Sequence, residues 1–113
     1  MKTLHLTLKK KWFEMIASGE KTEEYREVKP YWNSRFTVLP PDWCKKCTIE
    51  QIEDNNEWYR YDFDMVEFKN GYGNQAPKIR FKFEYITISE GRPEWGAEPG
   101  VKYFVIKLGE RIK

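Results

Sequence analysis

The sequence predicts an α+β, mostly β domain: a small, closed, mostly antiparallel β-barrel carrying two or three short helices. Three observations predict it. The chain has 113 residues, enough for one hydrophobic core and too few for two, so residues 1–113 form a single domain. Apolar side chains alternate with polar ones in several separate runs, the period of half-buried strands. That period gives way to a clear helical one only between Lys9 and Ser18, and glycine or proline punctuates the joins.

Hydrophobic residues make up 40% of the chain and charged residues 34%, the balance of a globular protein. Aromatics reach 17%, and in so small a domain some rings must lie at the surface, where flat faces can stack on ligands. A net charge of +2 gives no broad electrostatic footprint for duplex DNA. No run approaches the roughly 20 apolar residues of a membrane helix, and the N-terminus lacks a signal peptide's apolar core. A cytoplasmic protein without a membrane partner is expected. Cys44 and Cys47 form one Cys-x-x-Cys, but a four-ligand zinc site would need a second pair, and His5 is the one histidine. They read as reduced loop thiols, and neither a metal nor a cofactor is expected.

Taken in order, Thr3 to Leu8 sets Leu4, Leu6 and Leu8 against Thr3, His5 and Thr7, a strand with one buried face. From Lys9 to Ser18, Trp12, Met15 and Ile16 share a helical face with Phe13 beside it. Gly19 supplies the left-handed stop. Lys21 to Val28 fits a helix by propensity or a strand by pattern. As a strand it would place Glu24 and Arg26 on one face, about 6.6 Å apart. Pro30 to Phe36 gathers Tyr31, Trp32 and Arg35, either as the wall of a cleft or as a short helix packed on the barrel. Thr37 to Leu39 reads as a brief strand, Pro40 to Cys47 as a loop, and Thr48 to Asn55 as a helical turn or two.

Trp58 to Lys69 reads as extended, with a bulge near Val66 where the alternation changes face. Asn70-Gly71-Tyr72-Gly73 is a turn. Lys78 to Ile88 alternates most cleanly: Ile79, Phe81, Phe83 and Tyr85 oppose Lys78, Arg80, Lys82 and Glu84, and the basic face is a candidate RNA track. Glu90 to Gly100 is a Gly/Pro-rich loop holding Trp95 as a lid ring or a plug. Val101 to Leu108 is apolar on both faces, as in a central strand.

One stretch joins opposite charges, a backbone break and nearby rings: Gly19-Glu20-Lys21-Thr22-Glu23-Glu24-Tyr25-Arg26. It fits Gly-x-Lys-x-x-Glu-x-Arg and resembles the signature of the ASCH domain, a PUA-like barrel. Similarity continues at Tyr31-Trp32 with Arg35, at Asn70-Gly71-Tyr72, at Trp95-Gly96 and at Tyr103 to Ile106. The resemblance implies a cleft for single-stranded RNA or for a nucleobase, nucleoside or nucleotide, bound by Lys21, Glu24, Arg26, Tyr31, Trp32, Arg35, Tyr72 and Trp95. It also implies an alternative, a small hydrolase with Lys21 and Glu24 catalytic, acting on RNA or on N4-acylated cytidine. The amidohydrolases of that family use a threonine nucleophile where this chain has Glu24, and Thr22 lies at a different step of the motif. A third reading is that the motif charges only brace the fold.

Overall fold

The computed structural model of the chain describes residues 2–113. Its strands and helices run β1 (Thr3–Leu8), α1 (Lys10–Ala17), β2 (Glu23–Glu27), α2 (Pro30–Phe36), α3 (Pro41–Lys46), α4 (Ile49–Glu53), β3 (Met65–Asn70), β4 (Lys78–Glu90) and β5 (Lys102–Ile112). Single turns of 3-10 helix occupy Asn56–Trp58 and Pro93–Trp95. The strands form one sheet in the order β1-β3-β4-β5-β2. β1 pairs parallel with β3, and β3 antiparallel with β4, so the sheet is mixed. The domain is α+β, with four α-helices where two or three were expected.

The chain divides into two compact units. One comprises residues up to Glu24 with Asp62–Tyr85 and Lys107–Lys113; the other comprises Tyr25–Tyr61 with Ile86–Ile106. In the first, the expected alternation of β1 buries Leu4, Leu6 and Leu8, and Leu4 and Leu6 lie opposite Val66 and Phe68 of β3. Val66 and Phe68 lie in turn opposite Phe81 and Ile79 of β4, all four side chains buried. Each such side chain contributes about 1.5–3 kcal/mol by leaving water. Helix α1 adds Phe13 and Ile16, and Gly19 stops it at φ +87°, where a side chain would be strained.

In the second unit, Pro30 stands in the first turn of α2, where its missing N–H costs nothing, after Lys29 in extended backbone. Phe36 closes the helix against Phe104 of β5, ring centroids 5.2 Å apart and edge to face. Asn33 Nδ2 donates to the Cys44 carbonyl at 2.9 Å, tying α2 to α3. Thr48 and Gln51 cap α4 reciprocally, the Thr48 hydroxyl accepting from the Gln51 N–H and the Gln51 side chain from the Thr48 N–H.

Several expectations need correction. Pro40 to Cys47 is no loop: Pro41 opens α3, because proline pre-sets the helical φ of a first turn. Thr37 to Leu39 is no strand beyond one bridge from Thr37 to Tyr59. Trp58 to Lys69 is extended in sheet only from Met65, and the register from Met65 to Lys69 is unbroken, without the bulge expected at Val66. The change of face falls in β4 instead. Ile79 and Phe81 are buried, but Tyr85 is exposed and Ile86 and Ile88 are buried, so the buried set changes parity after Phe83. The last strand runs to Ile112, four residues past its expected end. Its interior place between β4 and β2 agrees with burial of Phe104, Val105 and Ile106 on both faces.

Candidate functional site

Lys21 to Val28, ambiguous in sequence, is strand from Glu23 to Glu27. Two of its charged residues, Lys21 and Glu24, are withdrawn from any solvated ladder. Lys21 and Glu24 are only 2% and 3% exposed, and Lys21 Nζ donates to Glu24 Oε1 at 2.6 Å. The ammonium also lies 4.8 Å from the centroid of the Trp12 ring, a cation–π distance. Helix α1 builds this arrangement. After the Gly19 turn, the Lys21 N–H donates to the Met15 carbonyl at 3.0 Å, fixing where the lysine leaves the helix. Taking two charges out of water costs several kcal/mol per ion and is offset only by tight pairing, which the 2.6 Å contact supplies.

The second half of the motif has different surroundings. Tyr25 is buried; its hydroxyl accepts from the Arg92 N–H at 3.0 Å, and its ring lies against Gly91. The guanidinium of Arg26 lies 5.3 Å from the Trp32 ring centroid. Trp32 is stacked nearly parallel on Phe36, 10° between planes and 5.2 Å between centroids, and meets the Tyr31 ring edge-on at 4.7 Å. Arg35 lies 5.8 Å over Tyr31. Helix α2 and Arg26 of β2 thus form a row of two rings with a guanidinium at each end: Arg26, Trp32, Tyr31, Arg35. Phe36 and Arg26 already occupy Trp32. Tyr31, 57% exposed, is the open ring.

The other two expected ring contacts have surroundings of their own. Trp95 is buried within a 3-10 turn, with the Arg92 guanidinium 4.8 Å over it, so it packs rather than hanging free. Tyr72 lies in the β3–β4 turn, 89% exposed. Lys21 and Glu24 therefore meet each other, and Arg26, Trp32, Tyr31 and Arg35 follow one another as a row of contacts.

A further cluster had no signal in the sequence. Glu67 of β3 is cross-strand neighbour to His5 of β1 and Arg80 of β4, and only 9% exposed. Its Oε2 accepts from Arg80 Nε at 2.8 Å, and its Oε1 lies 3.2 Å from His5 Nδ1. The Arg80 hydrogen bond, followed by that of His5, holds the Glu67 carboxyl below its ordinary 4.5, against the opposing pull of burial. Alternation alone could place these residues on one face of three strands, but the parallel register that aligns them appears only on folding. Cys44 and Cys47 are both free thiols, Cys44 buried with its Sγ donating to the Leu39 carbonyl at 3.5 Å. Among the described residues no group of three or more histidine, cysteine or acidic side chains is placed to hold a metal ion, and no helix is long and apolar enough to cross a membrane.

Set against protein-family models, curated proteins and solved structures, the chain matches none of them. The fold and site define an α+β domain with a mixed five-stranded sheet, a buried lysine–glutamate pair and a row of half-buried ring and guanidinium groups in which Tyr31 is exposed. The ASCH resemblance rests on the motif residues and the few similar positions after them.

Proposed function

We propose that the chain is a binding module for single-stranded RNA or its nucleotides, of the ASCH, PUA-like kind, with a β-barrel as its finer architecture. The observation that carries this reading is the row Arg26, Trp32, Tyr31, Arg35 on α2 and the strand before it. Bases of any sequence present a π-face, and stacking on an exposed ring contributes about 1–3 kcal/mol per base. Tyr31 offers that ring with Arg35 beside it, and Arg26 lies beyond Trp32; both are planar cations suited to phosphate or base edges. Splayed bases of a single strand can reach such a row; bases within a duplex cannot.

Lys21 and Glu24 serve this reading as the support that fixes where β2 begins. Their burial weighs against the hydrolase alternative, because a general base must come within hydrogen-bond reach of the proton it removes. Fluorescence anisotropy with a labelled single-stranded oligoribonucleotide at low salt tests the proposal. Tyr31→Ala is expected to weaken binding by roughly five- to a hundredfold, following from the stacking energy, while Tyr31→Phe retains it. The RNA should emerge intact on a denaturing gel. Absence of binding by the unaltered protein, or indifference to Tyr31→Ala, overturns the reading; shortened RNA would restore the hydrolase.

A further inference from the structure

The first compact unit carries a second feature that the α2 row does not use. Strand β4 turns Lys78, Arg80 and Lys82 away from its buried Ile79 and Phe81. The end of the chain lies beside the first part of this strand. Together they line an open groove of about 530 Å³ formed by Lys78, Ile79, Arg80, Arg111, Ile112 and Lys113. Four of the six lining residues are cations, and none is acidic.

The charges in this groove are largely uncompensated within the protein. Among the described residues Lys78, Arg111 and Lys113 enter no ion pair, whereas Lys82, just outside, is met by Glu110 at 3.6 Å. Arg80 gives its Nε to Glu67 at 2.8 Å, which orients the guanidinium. Arg111 donates through Nη1 to the Ala17 carbonyl at the end of α1, at 3.4 Å, which anchors the groove's far wall. Like charges gathered without partners repel one another in the free protein, and an anion relieves that repulsion as it binds. Ile79 and Ile112 add apolar floor and no hydrogen-bond donor of their own side chains. Four cations lining one open groove of about 530 Å³ fit a chain of several negative charges better than they fit one small ion.

We propose that this groove binds the phosphodiester backbone of single-stranded RNA, as a sequence-independent contact separate from base stacking on Tyr31. The proposal rests on the RNA-binding reading above. It adds the part of the affinity that salt should screen. For single strands the logarithm of the binding constant falls with the logarithm of salt concentration by about 0.7 per phosphate neutralised.

The test is the salt dependence of RNA binding by the triple variant Lys78→Gln, Arg111→Gln, Lys113→Gln. Arg80 is left in place because Glu67 depends on it. Thermal unfolding verifies that the triple variant folds, and the conservative Lys78→Arg, Lys113→Arg variant controls for charge. The slope is expected to become shallower by about 2 in the triple variant, the sum for three lost contacts, and to be unchanged in the conservative variant and in Tyr31→Ala. RNA binding with an unaltered slope in the triple variant overturns the groove and leaves the α2 reading intact. A protein that binds no RNA at low salt overturns both, and loss of slope with no effect of Tyr31→Ala supports the groove while removing the stacking site.

Discussion

The ammonium of Lys21 lies 2.6 Å from a carboxylate oxygen of Glu24, with both side chains almost wholly withdrawn from water. Removing one partner of such a pair leaves the other charged and buried, which costs about 3–5 kcal/mol, whereas replacing both with apolar groups of similar size is often neutral. Glu24→Ala is therefore expected to lower the melting temperature by more than about 10 °C, at roughly 4 °C per kcal/mol for a domain of this size. The double variant Lys21→Met, Glu24→Leu should recover most of that loss. Calorimetry of the two variants decides it: equal melting temperatures would show that the pair is not what holds this turn.

Gly91 makes a sharper test of local packing. A Cβ there would come within 2.7 Å of both Tyr25 Cζ and Ala97 Cβ, closer than real carbon contacts allow. Gly91→Ala should destabilise the protein by about 1–3 kcal/mol, the usual cost of overpacking. Tyr25→Phe, which keeps the ring and loses the hydrogen bond from the Arg92 N–H, should cost about 1 kcal/mol. Urea unfolding of both variants measures the difference, and a Gly91→Ala variant as stable as the parent would refute the close approach.

Glu67 sets an acid limb to stability. Its carboxyl titrates below the ordinary 4.5 in the folded protein, chiefly through the Arg80 hydrogen bond and then through His5. A depressed carboxyl contributes stability that is fully present above its unfolded-state pKa and is lost as pH falls through the lower folded value. Unfolding free energy measured from neutral pH into acid should therefore fall less steeply in Glu67→Gln than in the parent between the unfolded-state pKa and that lower folded value. Identical acid limbs would mean that the cluster contributes nothing.

The two thiols should react unequally. Cys44 is buried and donates to the Leu39 carbonyl, whereas Cys47 ends α3 in a more open position. Reaction with a thiol reagent in native buffer is expected to be fast at one site and slow at the other, both becoming fast in denaturant. Peptide mapping should place the fast label on Cys47, and a fast label on Cys44 would contradict the burial.

Strand β1, helix α1 with its Gly19 stop, and the alternating first part of β4 were legible in the sequence because local periodicity and a single glycine specify them. So was the interior character of β5, since a continuous apolar run is also a local signal. The break between β3 and β4 was legible too, but Asn70 itself ends β3, and residues 71–77 make a longer connection than the tight turn expected there. The pairing of β1 with β3 was not legible. Alternation reveals which face a strand buries and says nothing of its neighbour, and a parallel neighbour is reached only through a long crossover containing α1, β2 and the three following helices. The same limit hid the Glu67 cluster, whose members come from three strands far apart in the chain.

The motif shows the division most plainly. The sequence by itself determined that Lys21, Glu24 and Arg26 would lie close together, because they fall within six residues, and that rings would follow at once in Tyr31 and Trp32. Tertiary structure alone decided that Lys21 and Glu24 are buried on each other against Trp12 while Arg26 stays half-exposed and meets Trp32 of α2. A charged residue's pattern is the same whether it faces water or a partner. Burial depends on what the rest of the chain brings against it, and that is a property of long-range packing rather than of local spacing.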